Sequence, residues 1–273
     1  MDRREIAGDN AVKIARYRLG SAMHYGVVEE NSIRRLLGSP THLLTYDGTV
    51  DALSEVTLLP PIVPPNIIGI GLNYRKHADE KGWEYPTEPV IFLMATSSLN
   101  GPGEFIVLPQ EAPDEVDYEA ELAVVIGREA RSVSPAEALD HVLGYACGND
   151  VSARDCQFRR DKQWARGKSF DTFTCLGPWI ETDLDPSRLS IRLDLNGETM
   201  QDSTTEDMIF PVADLISFIS RSMTLLPGTV IMTGTPHGVG FARNPQRFLK
   251  SGDLIEVIIE GIGTLRNTVG TFS

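Results

Sequence analysis

Three cysteines, Cys147, Cys156 and Cys175, are all that the sequence contains, and no two of them form a C-x-x-C pair. That excludes a thiolate zinc site and a disulfide-stapled scaffold; the residues read as buried, inert thiols in a reducing compartment. No apolar run approaches the ~20 residues of a membrane span. Positive charge is scarce: Lys and Arg number 25 against 38 Asp and Glu, a formal net charge of −13. Such a surface repels a duplex phosphate backbone and an anionic bilayer, so neither nucleic acid nor a membrane is expected as a partner. The opening residues Met1-Asp2-Arg3-Arg4-Glu5 show no apolar core or small-residue cleavage site of a secretory signal, and a cytoplasmic location is expected. What the chain does have is 273 residues, 41% hydrophobic and 23% charged, enough to bury a sizeable core in one large or two smaller domains.

Residues 12–17 and 25–28 read as short strands around a turn at Gly20. The run Pro60-Pro61-Ile62-Val63-Pro64-Pro65 is a stiff connector, which puts a small N-terminal α+β domain at 1–60 and a larger domain at 65–273. Beyond it, residues 67–70, 122–126, 229–233 and 254–260 read as strands, with turns at Pro227-Gly228 and Gly261. Ser134-Pro135-Ala136-Glu137 carries an N-cap, a first-turn proline and a capping box, so a helix is predicted to about residue 141. A second is predicted from about Pro211, with Val212, Leu215, Ile216 and Ile219 on one face. The pattern is mainly β with some α and lacks βαβ alternation.

Five clusters carry chemistry-bearing side chains. Glu119 and Glu121 are two apart at the start of a strand, which puts both carboxylates on one face, ~6–7 Å apart. Like charges so placed raise each other's pKa unless a cation lies between them, and a hard divalent ion suits oxygen ligands; spacing alone equally describes a solvated strand face. Asp150, in Gly148-Asn149-Asp150, offers a third carboxylate or plain turn chemistry. Nearby, Arg154 is suited to fork onto a substrate carboxylate or to pair at the surface with Asp155; Gln157 either binds substrate or sits exposed. His77 and Glu80 are i, i+3 neighbours if their segment is helical, the spacing of a general-base dyad or of an exposed polar helix. Gly69-x-Gly71 is no dinucleotide fingerprint, because Tyr74 stands where the third glycine belongs. Lys168 lies between glycine and small polar residues, either reaching an enolate oxygen or solvated. Thr233-Gly234-Thr235-Pro236-His237-Gly238-Val239-Gly240 lets backbone approach a ligand, or simply turns between strands; His237 reads as a loop histidine. The acidic run Glu111, Asp114, Glu115, Asp117 reads as a solvated loop.

Taken in order, Gly-x-Asn-Tyr-x-x-His-Ala-x-Glu at 71–80, Asp-Tyr-Glu-x-Glu-Leu at 117–122, Asn-Asp-Val-Ser-Ala-Arg-Asp-x-Gln at 149–157, Gly-Lys-Ser-Phe-Asp at 167–171 and Thr-Gly-Thr-Pro-x-Gly-Val-Gly at 233–240 resemble the fumarylacetoacetate hydrolase superfamily over about residues 65–270. The resemblance implies a β-roll-like catalytic domain, Mg²⁺ or Mn²⁺ as cofactor, and a homodimer. It places Glu119, Glu121 and Asp150 at metal-ligand positions, His77 and Glu80 at a dyad on a mobile lid, and Lys168 at the motif lysine. Arg154, Gln157 and Thr235 fall at substrate-contacting positions.

The resemblance further implies a 2-oxo acid substrate. The leading expectation is hydrolysis of a C–C bond in a 2,4-dioxo acid, an acylpyruvate or a diketo-deoxy sugar acid, through an enolate stabilised by the metal and Lys168. The same site serves decarboxylation or keto–enol tautomerisation of oxaloacetate, isomerisation or hydration of ring-cleavage dioic acids, or simple 2-oxo-acid binding. The stretch 241–250, with Trp164 and Phe170-Asp171-Thr172-Phe173, looks more like members acting on oxaloacetate or diketo-deoxy sugar acids. Residues 75–86, with Lys81, Trp83, Glu84 and Tyr85, would form much of the lid.

Overall fold

The computed structural model describes residues 11–42 and 44–271; Met1–Glu5, on which the reading of the leader rests, lie outside them. The central element is the strand Ala120–Ile126, buried along its whole length. Apolar β-branched residues on both faces suit it to the middle of a covered sheet. It pairs antiparallel with Val142–Asp150 on one side and Val230–Met232 on the other. The sheet continues through Ile67–Gly71 to the edge strand Val90–Met94, and in the other direction through Thr174–Glu181 into the N-terminal strands.

The segment before the proline run forms the strands Lys13–Leu19, Ala22–Glu29, Ser32–Leu36 and Tyr46–Ala52, a meander turning at Gly20, with Thr57–Leu59 pairing back onto the first. Lys13 and Ile14 pair with Glu181 and Ile180, so one sheet crosses the connector. Of the α+β character expected there, residues 11–59 supply strands and a single 3₁₀ turn at Leu53–Glu55. A second sheet, in the order Glu198–Thr204, Ser190–Leu195, Leu254–Ile259, Gly263–Thr271 and Phe105–Leu108, packs across the first.

Alternation along Ala120–Ile126 divides the core. Leu122, Val124 and Ile126 face the second sheet, with Ile191, Leu193, Val257 and Leu265. Ala123 and Val125 face the other way, with Ile67, Phe92, Leu176 and Met232. Glu119 and Glu121 fall on this second side by the same period of two. Both predicted helices form. Pro135–Ala138 starts from Ser134 with its capping box complete and passes into a 3₁₀ turn ending at His141. Val212–Ser222 buries Val212, Leu215, Ile216 and Ile219. A short helix, Arg75–Lys81, ends at Gly82 in the left-handed conformation that glycine adopts at little cost. Among the described residues, no helix is long and apolar enough to cross a membrane.

The N-terminal meander holds one polar knot. Tyr17 donates its hydroxyl to Asp51 Oδ2 at 2.5 Å, and Arg35 forks onto the same carboxylate at 2.9 Å. Burial opposes the charge on Asp51, but Tyr17 and Arg35 together hold its carboxyl below the ordinary range. Burial, then Asp51, pushes the Tyr17 hydroxyl up to about 12. Asp51→Ala strands both partners, and we expect a loss of about 1–3 kcal/mol in calorimetric or denaturant unfolding. The sign of the pH dependence follows. Asp51's share is present above the ordinary aspartate pKa and lost as pH falls through its lowered value. Tyr17's share is present below its ordinary pKa and lost as pH rises through about 12.

Candidate active site

Two neighbouring strand ends build the site. Glu119 immediately precedes Ala120–Ile126, Glu121 is its second residue, and Asp150 ends the adjacent strand Val142–Asp150. The backbone registers them: Asp150 N–H donates to Glu119 O at 2.9 Å. All three carboxylates are buried, with oxygens within 4.8 Å of one another, and no other such triad of acidic, His or Cys side chains occurs among the described residues. The solvated strand face and the Gly-Asn-Asp turn, both open from sequence, do not occur here.

Lys168 reaches this cluster from the 3₁₀ segment Trp164–Lys168. Its Nζ lies 2.6 Å from Glu119 Oε2 and 2.7 Å from Asp150 Oδ2. Arg154 is 2% exposed, and its partner is not Asp155: Nε donates to Asp117 Oδ2 at 2.9 Å, and Nη1 lies 2.7 Å from Glu119 Oε1 and 2.8 Å from Gln157 Oε1. Gln157 is buried in a π-helical turn, and Lys168 is buried too, so neither is a solvated side chain.

Asp117 departs most from the solvated-loop reading. It is fully buried, and it accepts from Tyr118 N and Gly240 N on Oδ1 and from Phe241 N and Arg154 Nε on Oδ2. It therefore ties the glycine loop to the guanidinium. Glu111 and Asp114 stay exposed, and Glu115 pairs with Arg159.

On the helix Arg75–Lys81, His77 Nδ1 and Glu80 Oε1 are 2.6 Å apart, and Gly238 N–H donates to Glu80 Oε2 at 3.0 Å. The dyad is thus fixed from the helix on one side and the loop on the other. Thr235 is buried, and Gln201 Nε2 donates to its hydroxyl oxygen at 2.8 Å, leaving its own hydrogen for another acceptor. Gln201 comes from the second sheet and carries no recognisable motif. His237 is half-buried and does not line the cavity.

These groups surround a cavity of about 170 Å³ lined by His77, Glu119, Arg154, Gln157, Lys168 and Thr235 with Trp83, Phe92, Phe158, Trp164 and Phe241. Gly69 and Gly71 lie beneath two of the rings. A Cβ on Gly71 would come within 2.2 Å of Trp164, and one on Gly69 within 2.2 Å of Phe92.

Charge does not balance here. Asp117, Glu119, Glu121 and Asp150 face only Arg154 and Lys168. Burial pushes Glu121 well above the carboxylate range, reinforced by Asp150 and Glu119, and raises Asp150 to about 7. Glu119 is held down instead, because Lys168 and Arg154 outweigh its burial. Asp150 Oδ1 is buried with no hydrogen-bond partner. A deficit of two positive charges, an orphaned carboxylate oxygen and all-oxygen donors fit a hard divalent cation held by Glu119, Glu121 and Asp150.

A buried acid cluster under a cavity, with a histidine–carboxylate dyad at its side, is the layout of an enzyme. The family model for the fumarylacetoacetate (FAA) hydrolase C-terminal domain matches residues 66–270, and that for the Rv2993c-like N-terminal domain matches residues 12–61. The chain belongs to the fumarylacetoacetate hydrolase superfamily, whose members include tautomerases, isomerases and hydrolases. It is 45% identical over 221 residues to the oxaloacetate tautomerase FAHD2A of Homo sapiens mitochondria, covering 79% of this chain and 70% of that protein. The structure of 5-carboxymethyl-2-hydroxymuconate delta-isomerase from Mycobacterium smegmatis is similar at TM-score 0.87 and 40% identity, covering 95% of this chain and 100% of that one. Fumarylacetoacetate hydrolase from Exiguobacterium antarcticum is similar at TM-score 0.87 and 36% identity, covering 96% and 100%.

In chelator, folding should take up protons at Glu121 and Asp150, because both bind them more tightly folded than unfolded. Stability should then fall as pH rises above the ordinary carboxylate range, and added Mg²⁺ or Mn²⁺ should reverse the fall. Glu121→Gln removes the ionisable carboxyl while keeping an acceptor for Gly234 N–H, which now donates to Glu121 Oε2 at 2.9 Å. We expect this variant to melt no lower than the parent in chelator and to lose most of the stabilisation by metal, read by thermal melts with and without Mn²⁺.

Proposed function

We propose that this chain catalyses keto–enol tautomerisation of a short 2-oxo dicarboxylic acid of the oxaloacetate class, with Mg²⁺ or Mn²⁺ held by Glu119, Glu121 and Asp150. The observation that carries the reading is the placement of the His77–Glu80 dyad and the Lys168 ammonium around one small cavity. The cavity is smaller than the ~300–1,000 Å³ usual for larger ligands, which suits a small acid. The relative from Homo sapiens named as an oxaloacetate tautomerase and the isomerase structure from Mycobacterium smegmatis support the same chemistry.

The cation would polarise the 2-oxo group and favour loss of a proton from C3. The protein's residues do the rest. Glu80 accepts the Nδ1 proton of His77 and so leaves Nε2 as the basic nitrogen. His77 takes a proton from C3 of the keto acid, and the C3–H electron pair moves into the C2–C3 bond. Lys168 stabilises the charge that develops on the C2 oxygen. His77 then returns the proton to that oxygen, so one C–H bond breaks, one O–H bond forms and nothing else is consumed. Arg154 Nη2 is buried with no partner, which suits it to a substrate carboxylate. Thr235 offers its free hydroxyl hydrogen.

Hydrolysis of a 2,4-dioxo acid is the second reading, favoured by the same dyad, which would activate a water. One experiment separates the two. We expect accelerated decay of the enol absorbance of oxaloacetate, abolished by EDTA, with no pyruvate or CO₂ formed in excess of the uncatalysed control. His77→Gln and Lys168→Met should each lower kcat by about 10²–10⁴-fold. Pyruvate and a partner acid released in equal amounts from an acylpyruvate, with no effect on oxaloacetate enol, would overturn the proposal in favour of hydrolysis. Metal-dependent CO₂ release would overturn it in favour of decarboxylation.

A further inference from the structure

The cavity has a polar floor and an aromatic mouth. Glu119 and Lys168 at the floor are buried, as is Arg154, which spans from Glu119 to the Phe241 ring, whereas Trp83 is 39% and Phe158 42% exposed at the rim. Between these two rings stands Phe241, 8% exposed. The three rings close on one another: Trp83 stacks on Phe241 at 6.1 Å between centroids, Phe158 lies 5.3 Å from Phe241, and Trp83 lies 6.4 Å from Phe158. These are direct contact distances for aromatic pairs, so the triangle leaves no passage for an alkyl chain.

The three rings are not equally fixed. Trp83 follows Gly82 at the end of the helix Arg75–Lys81, and Phe158 rides on the π-helical turn. Phe241 is anchored, because its N–H donates to buried Asp117, the carboxylate that also holds Arg154. Two cations lie against its ring, Arg154 at 4.4 Å and Lys81 at 5.0 Å. Positive charge is therefore concentrated where the distal end of a bound acid would lie, and the ring stands directly beyond it.

We propose that Phe241 is a specificity-determining residue that sets the length of the acid this site accepts. A substrate bound by its 2-oxo carboxylate end at the floor places a short distal carboxylate beside Arg154. Each further methylene pushes that carboxylate into the Phe241 ring and out of reach of the guanidinium. The inference rests on the proposed reading of the floor and deepens it by limiting the substrate to short diacids.

Binding to the Mg²⁺-loaded protein tests it without turnover. Oxalate probes the floor alone; 2-oxoadipate adds chain and a distal carboxylate. Calorimetry should show a preference for oxalate that Phe241→Ala narrows at least about tenfold, a size set by the typical cost of misfitting methylenes. Phe241→Tyr, which keeps the ring, should retain the parent ratio. Phe241→Leu serves if the alanine variant does not fold, with a smaller narrowing expected. A purely structural role would weaken both ligands alike and leave the ratio unchanged, which would overturn the proposal. Failure of oxalate to bind the parent protein would instead overturn the reading of the floor and, with it, the length limit.

Discussion

Four acidic side chains, Asp117, Glu119, Glu121 and Asp150, are buried around two cationic ones, Arg154 and Lys168, and the rest of the site depends on that imbalance. Burying a charge is tolerated only when it is paired or neutralised. Asp117 is satisfied outright by four donors and Glu119 by two cations. The remaining deficit falls on Glu121 and Asp150, whose carboxyl pKa values burial and the neighbouring carboxylates push up. A dication relieves both at once. In the proposed reaction the same charge, placed next to a 2-oxo group, would make a neighbouring C–H acidic enough for His77 to remove its proton.

The fold supplies this cluster through ordinary strand geometry. Period-two alternation puts Glu119 and Glu121 on one face of a strand, and antiparallel pairing brings in Asp150. Lys168 and Arg154 come from irregular segments beyond the adjacent strand, where side chains can turn back over the sheet end. Two acids hold the glycine loop: Asp117 ties Gly240 and Phe241 to Arg154, and Glu80 ties Gly238 to the helix Arg75–Lys81. One short glycine-rich segment thereby positions the guanidinium, the dyad and the Phe241 ring. This explains why Gly240 carries no side chain: a Cβ there would lie 2.0 Å from Arg247 O and 2.5 Å from Asp117 Oδ1.

Much of this was legible in the sequence, for uneven reasons. The helix at Pro135 announces itself by its capping box and the one after Pro211 by its apolar face, because both signals are local. Motif order points to the acidic triad, the dyad and Lys168, whereas spacing alone leaves each with an ordinary alternative. Asp117 was misread because its burial is set by donors far along the chain at 240–241, which no local pattern reveals. Gln201 escaped notice because it reaches the site from the opposite sheet. The aromatic mouth was half legible: Trp83 stood in the presumed lid, but its meeting with Phe158 and Phe241 is tertiary.

The four buried acids are short of two positive charges, and the raised pKa values of Glu121 and Asp150 imply that a dication binding the triad would displace protons from it. The most direct measurement is proton release on Mn²⁺ binding near neutral pH, from calorimetry in buffers of different ionisation enthalpy. The account predicts saturable binding of one cation with about one proton or more released per site, the release shrinking as pH rises. Saturable binding with no proton released across that range would contradict it, as would no binding at all.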